Sequence, residues 1–165
     1  MIVNFLKSNQ IPTVITLHDC WYFTGRCSHF VSENCYKWQK GCYKCPNLRL
    51  YPKSYVFDLC RGMYSIKKEL FTNFEYLQIV AVSKWLEQIA KQSSIFKGCH
   101  VTSISNGIDL EIFFPRREGK FAYLKNDSRK IILAAASQWN KQKGLEVILR
   151  LTNVLDLAKF KIVVV

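Results

Sequence analysis

No run of apolar residues in this 165-residue chain approaches the roughly 20 needed to cross a bilayer, so no spanning helix is predicted. The opening MIVNFLKSNQIP lacks the basic start, long apolar centre and small-residue cleavage site of a signal peptide. The cytoplasm is therefore the expected compartment. Carboxylates are scarce: 12 Asp and Glu stand against 24 Lys and Arg, a net charge of +12. That imbalance predicts an anionic partner, whether nucleic acid, anionic lipid or a phosphorylated substrate. The cysteine count is odd, at seven, so no disulfide scheme pairs them all, and a secreted disulfide scaffold fits poorly. Internal repeats and low-complexity segments are absent too.

Hydrophobic residues make up 49% and charged residues 22%, a globular balance that implies a buried core. The length suits one ordinary domain but not two full ones. IPTVITL (11–17), LQIVAV (77–82) and HVTSI (100–104) are short apolar, β-branched runs of the kind that form strands buried on both faces. KIILAAAS (130–137) and KFKIVVV (159–165) continue the series. Helical spacing links them. In SKWLEQIAKQ, Trp85, Leu86, Ile89 and Ala90 share a face and Ser83 stands at the N-cap position. Another helix is expected from about Gly144. Between Phe57 and Phe74 the stripe Leu59, Met63, Ile66, Leu70 and Phe74 predicts a helix buried on that side, with Arg61, Lys67 and Lys68 off it. Strands alternating with helices imply an α/β fold with a parallel sheet.

Open parallel sheets bind ligands beyond the carboxyl ends of their strands. His18 and Asp19 directly follow the first strand, and in the bland reading the histidine packs or caps there. Ser83 follows the second strand, as a plain N-cap or as part of an anion site. Asn106 and Gly107 follow the third and by themselves signal a tight turn. Lys141 and Lys143 precede the helix at Gly144, where a phosphate would find free N–H groups and a cation; a solvated lysine pair reads equally well.

Cys27, Cys35, Cys42 and Cys45 lie within nineteen residues and end in C-x2-C followed by Pro46. In a reducing compartment that pattern suits thiolate–metal chemistry, with His29 able to replace one sulfur. The alternative is four reduced thiols in a loop ordered by Trp21, Phe23, Phe30, Tyr36 and Trp38. Cys20, Cys60 and Cys99 read as core packing. Between Lys37 and Lys53 there are five cations and no carboxylate, interleaved with aromatics, as on a surface that meets anionic lipid or simply water.

Taken in order, TLHDCWYFTGRC, GCYKCP, YPKS, VAVSKWL, ISNGIDLEIFFP and QKGL resemble the glycosyltransferase family 4 sugar transferases. The likeness is to the exopolysaccharide and colanic-acid-type branch with a Cys-rich insertion after the His–Asp pair. It implies a GT-B fold of two Rossmann-like domains, acceptor on the first and nucleotide-sugar donor on the second. It divides the chain into a partial acceptor-side domain (1–112, insertion at 20–46), a linker (113–130) and the start of a donor-side domain (131–165). The family's Gly-rich loop upstream and glutamate pair downstream are not in the chain, so the resemblance implies a fragment lacking both ends. Uncovered strand edges then predict marginal solubility.

By the same resemblance His18 is the active-site histidine, with Asp19 beside it, and Lys143 holds the donor diphosphate with Lys141 and Gly144. Gln138 stands where the family places an arginine, and a neutral amide does not replace a bidentate cation at phosphate. Ser83, Asn106 and Gly107 line the cleft. The implied reaction is retaining transfer from a nucleoside-diphosphate sugar to a lipid-linked or polysaccharide acceptor. It needs no catalytic metal, and the four cysteines would hold a structural zinc. The implied setting is cytoplasmic, peripheral on the inner face of the plasma membrane, without nucleic acid. The contrasting readings are a zinc-stabilised nucleic-acid-binding module and an inactive gene fragment.

Overall fold

A computed structural model describes residues 2–49, 52–115, 124, 127–139 and 143–165. The chain forms two compact units, residues 1–107 and 108–165. The expected linker 113–130 falls partly outside the described residues.

The first unit opens with helix α1 (Ile2–Ser8) and strand β1 (Thr13–Leu17), then runs through three short 3-10 turns at Trp21–Phe23, Val31–Glu33 and Lys37–Gln39. Helix α2 (Cys60–Phe71), strand β2 (Leu77–Ala81), helix α3 (Lys84–Gln92) and strand β3 (His100–Ser103) follow. The strands form one parallel sheet in the order β1-β2-β3. Leu17 stands beside Ala81, and Ala81 beside Ser103, so the three carboxyl ends are level. Ser83 caps α3, accepting from the Leu86 N–H at 3.2 Å, and the helix buries Leu86 and Ala90. Trp85, placed on the same face by spacing, is half exposed.

The central strand β2 is buried on both faces, as its apolar run predicts, but β1 is not. Val14 is 65% exposed, and β1 alternates between covered and open positions. A residue facing away from Ile15 and Leu17 needs a second layer, and the described residues put none over Val14.

Helix α2 departs further from its expected stripe. Its buried residues are Cys60, Tyr64, Lys67, Leu70 and Phe71; of the expected stripe Leu70 and Phe74 are buried, while Leu59 and Ile66 are exposed. The inward face is thus rotated by about one residue, roughly 100°, from the one that apolar spacing selects. Lys67 is why the pattern misleads. Its ammonium donates to the carbonyls of Trp21 at 2.5 Å and Thr24 at 3.0 Å and lies 3.5 Å from the centre of the Trp21 ring. A buried cation needs such partners.

The second unit contains strand β4 (Lys130–Ala134), helix α4 (Leu145–Leu151) and strand β5 (Phe160–Val164), the strands being parallel neighbours. Gly144 precedes α4 at φ +73°, a left-handed turn that disfavours side chains. Asp127 ties this unit together. It accepts from Arg129 Nη2 at 2.7 Å, Arg129 Nε at 2.8 Å and Lys161 Nζ at 3.0 Å.

Candidate functional site

The level carboxyl ends of β1, β2 and β3 bring four candidates to one edge of the sheet. His18 leaves β1 exposed to solvent, Ser83 leaves β2, and Asn106 and Gly107 leave β3, both exposed. Sheet pairing continues past the strands, with the Val82 N–H donating to the Leu17 carbonyl at 3.3 Å and Ile104 N–H to Ala81 at 2.9 Å. The two polar side chains beside His18 have structural work. Asp19 Oδ1 accepts from the Trp21 N–H at 2.8 Å, an Asx turn that starts the first 3-10 turn, and Ser83 Oγ is the cap of α3. His18 is left as the exposed imidazole at this edge.

In the second unit, Gln138 and Lys143 are exposed beyond the carboxyl end of β4, on either side of the turn into α4. Lys141 lies outside the described residues.

The segment after Asp19 is part of the first unit's core rather than a separate module. Phe23, Phe30 and Trp38 belong to the same buried cluster as Leu17, Ile79 and Val101. Phe30 stacks on Trp38 with ring centres 4.7 Å apart, and Phe23 bridges Trp38 to Phe96. Fully burying rings of this size contributes about 1.5–3 kcal/mol each. Hydrogen bonds pin the backbone as well: Tyr64 Oη donates to the Trp38 carbonyl at 2.7 Å and Ser93 Oγ to Phe23 at 3.0 Å.

Cys27, Cys35, Cys42 and Cys45 all line one small cavity of about 20 Å³, walled otherwise by Phe30, Trp38 and Pro46 among others. Cys27 and Cys45 have their sulfurs 4.0 Å apart. Asn34 and Lys44, immediately before Cys35 and Cys45, are left-handed at φ +46° and +44°, which folds the chain back on itself at each cysteine. Gly25 is required for the approach of the opposite wall. A Cβ there would stand 2.5 Å from the Cys60 carbonyl oxygen and 2.7 Å from Cys42 Cβ. Burial, with neighbouring thiols adding to it, pushes Cys27 up to about 12 and Cys42 up to about 11, so at neutral pH and with no metal ion bound these groups are thiols. Among the described residues no group of three or more His, Cys, Asp or Glu side chains, as placed, could hold a metal ion.

Two residues in this region depart from what the sequence predicts. His29, the alternative ligand, is exposed and is not among the residues lining the cavity. Cys60 is buried as expected, yet it also lines the cavity. Asp58 explains its position: its carboxylate accepts from the Cys45 N–H at 2.8 Å and the Cys60 N–H at 3.0 Å. No periodic signal marks an acid two residues ahead of a helix as the anchor of a distant loop.

The basic loop gains partners from α2. Lys40, Lys44, Arg61 and Lys68 line a surface cavity of about 730 Å³, with Asp58 the single carboxylate on its wall. Nearby in sequence, Tyr55, Val56, Phe57 and Leu59 are strongly exposed. No helix among the described residues is long and apolar enough to cross a membrane.

Among curated proteins, the chain is similar to one described as "Putative colanic acid biosynthesis glycosyl transferase WcaC" of Escherichia coli (strain K12), with 32% identity over 101 residues. That stretch is 61% of this chain and 24% of the relative, so the chain spans about a quarter of the length of the protein it matches. No family model matches the chain, and no solved structure matches it.

Proposed function

We propose that this chain is part of a glycosyltransferase of polysaccharide synthesis, of the GT-B type and family 4. In this reading it moves a sugar from a nucleoside-diphosphate donor to a hydroxyl of a lipid-linked or growing polysaccharide acceptor, with retention of configuration. One observation carries the reading: the exposed imidazole of His18 stands at the carboxyl edge of a parallel sheet, in a chain similar to a glycosyl transferase over 101 residues. Open sheets of this kind bind substrates at that edge.

His18 then stands beside the reacting sugar, while Asp19 positions the turn that presents it. Lys143 offsets charge growing on the leaving diphosphate, with Lys141, Gly144 and the neutral Gln138 around it. Ser83, Asn106 and Gly107 line the acceptor side. The basic cavity of Lys40, Lys44, Arg61 and Lys68 suits the phosphate of a lipid-linked acceptor or an anionic membrane surface. The exposed run from Tyr55 to Leu59 would lie at the apolar boundary. Retention proceeds by displacement on one face of the donor sugar, without a protein nucleophile and without a catalytic metal.

The test is transfer of labelled sugar from a panel of nucleoside-diphosphate sugars into lipid extract by the whole transferase of which this chain is a part, the 165-residue chain alone being expected to be inactive. His18→Ala is expected to lower kcat at least about 100-fold, the scale of a lost catalytic side chain. Lys143→Ala is expected to weaken donor use more than acceptor use. Equal transfer by wild type and His18→Ala would overturn the role of His18, and transfer with inverted configuration would overturn the retaining mechanism.

A further inference from the structure

We infer that Cys27, Cys35, Cys42 and Cys45 bind one zinc ion as a closed, structural tetrathiolate site that fastens the loop following His18. The geometry of the cysteines supports this site independently of the transferase reading.

All four sulfur-bearing residues converge on one cavity of about 20 Å³, enough for a single water or ion. A water would be poorly served there. Its walls are mostly the apolar parts of Phe30, Trp38 and Pro46 together with sulfur, although Thr24, Arg26, Lys37 and Tyr43 also contribute, whereas a buried water needs two to four polar partners. Four thiolates at about 2.3 Å from zinc have a tetrahedral edge of roughly 3.8 Å. The Cys27–Cys45 separation of 4.0 Å is close to that edge and about twice the length of a disulfide. As placed, no three of these side chains could hold an ion, so zinc binding requires Cys35 and Cys42 to close on the Cys27–Cys45 pair.

Two N–H groups are aimed at these sulfurs. The Gly25 N–H donates to Cys42 Sγ at 3.1 Å and Asn47 Nδ2 to Cys27 Sγ at 3.9 Å. Such donors stabilise thiolate far more than thiol, and ligands held from a second layer are characteristic of metal sites. Binding zinc releases a proton from each thiol and leaves a complex of charge −2. Arg26 and Lys37 line the same cavity to offset that charge. Cys60, the fifth cysteine on the wall, opens α2 with its backbone N–H held by the Asp58 carboxylate at 3.0 Å, and it is left outside the ligand set. With four protein ligands the ion keeps no open position and does no chemistry. Its effect is to fix the loop that begins one residue after Asp19.

The experiment is metal analysis of the whole chain purified under reducing conditions, with cobalt substitution. The expected result is about one zinc per chain, four thiols that become reactive only on chelation, and a cobalt spectrum with thiolate charge-transfer bands in tetrahedral geometry. Cys42→Ser is expected to lose the metal, Cys60→Ser to keep it, and Cys45→His to keep it with a shifted cobalt spectrum. If Cys42→Ser fails to fold, the wild-type cobalt spectrum decides by itself. A metal-free chain, a disulfide between Cys27 and Cys45 under reducing conditions, or loss of zinc in Cys60→Ser overturns the inference.

Discussion

Residues 1–107 and 108–165 use the same device, parallel strands joined through a helix, and are held together by different forces. In the first unit, Phe23, Phe96, Leu17, Ile79 and Ile95 are fully buried, and rings from the loop fill the space beside the sheet. In the second, Leu133, Val147 and Leu149 remain exposed, α4 buries no residue, and the firmest links among the described residues are the ion pairs of Asp127. The contrast teaches that strand pairing alone does not make a core. Apolar area must be removed from water by a second layer, and only the first unit has one among the described residues.

The largest expected effect is therefore in the first unit. Phe23→Ala removes a ring that touches Trp38 and Phe96 and should cost about 3–5 kcal/mol. Urea unfolding followed through amide exchange is expected to show β1 to β3 weakened and β4–β5 unchanged. Equal weakening of both sheets would break the comparison.

Gly25→Ala ranks next, at roughly 1–3 kcal/mol for forcing a methyl into filled space. The clash is with the Cys60 backbone and Cys42 Cβ, so the loop should shift before the sheet does. Chemical shifts of Cys42 and Cys60 are the readout, and an unmoved loop would contradict the close approach.

Two pH windows, one alkaline and one acid, sharpen the contrast. Burial lowers Lys67 from 10.5 to about 8. Between those values the unfolded chain holds a proton that the folded chain has lost, so this group's contribution to stability rises with pH across that window. Comparing wild type with Lys67→Met from pH 8 to 10 isolates the effect, since other groups are shared. The wild type is expected to gain relative to the variant as pH increases. A difference that stays flat would mean that Lys67 titrates normally.

The smallest effect belongs to the second unit. Hydrogen bonds from Arg129 and then Lys161 hold the Asp127 carboxyl well below its ordinary 3.8. Its contribution is fully present above that value and is lost as pH falls through the lower, folded one. Asp127→Asn should speed amide exchange in β4 and β5 at neutral pH, with the gap to wild type closing in strong acid and shrinking with salt. A gap independent of both would assign the role to packing instead.

Local patterns in the amino-acid order account for much of this arrangement. Short apolar or β-branched runs mark the five strands among the described residues, Ser83 marks the start of α3, and Gly144 the turn into α4, because each depends on a window of a few residues. The candidates at strand ends are legible too, since parallel strands place their carboxyl ends on one side. The inward face of α2 is not. Apolar spacing selects Leu59, Met63 and Ile66, whereas the fold buries Cys60, Tyr64 and Lys67.

What the amino-acid order determined alone is thus the kind and sequence of elements: apolar β-branched runs that pair in parallel, and a cysteine pattern suited to sulfur chemistry. Tertiary structure decided which side of α2 turns inward, that a lysine is admitted to the interior, and that Cys60 and Asp58 meet a loop from earlier in the chain. The physical reason is the origin of the partners. Lys67 is stabilised inside by carbonyls of Trp21 and Thr24, 46 and 43 residues away, and no local window contains the groups that satisfy its charge.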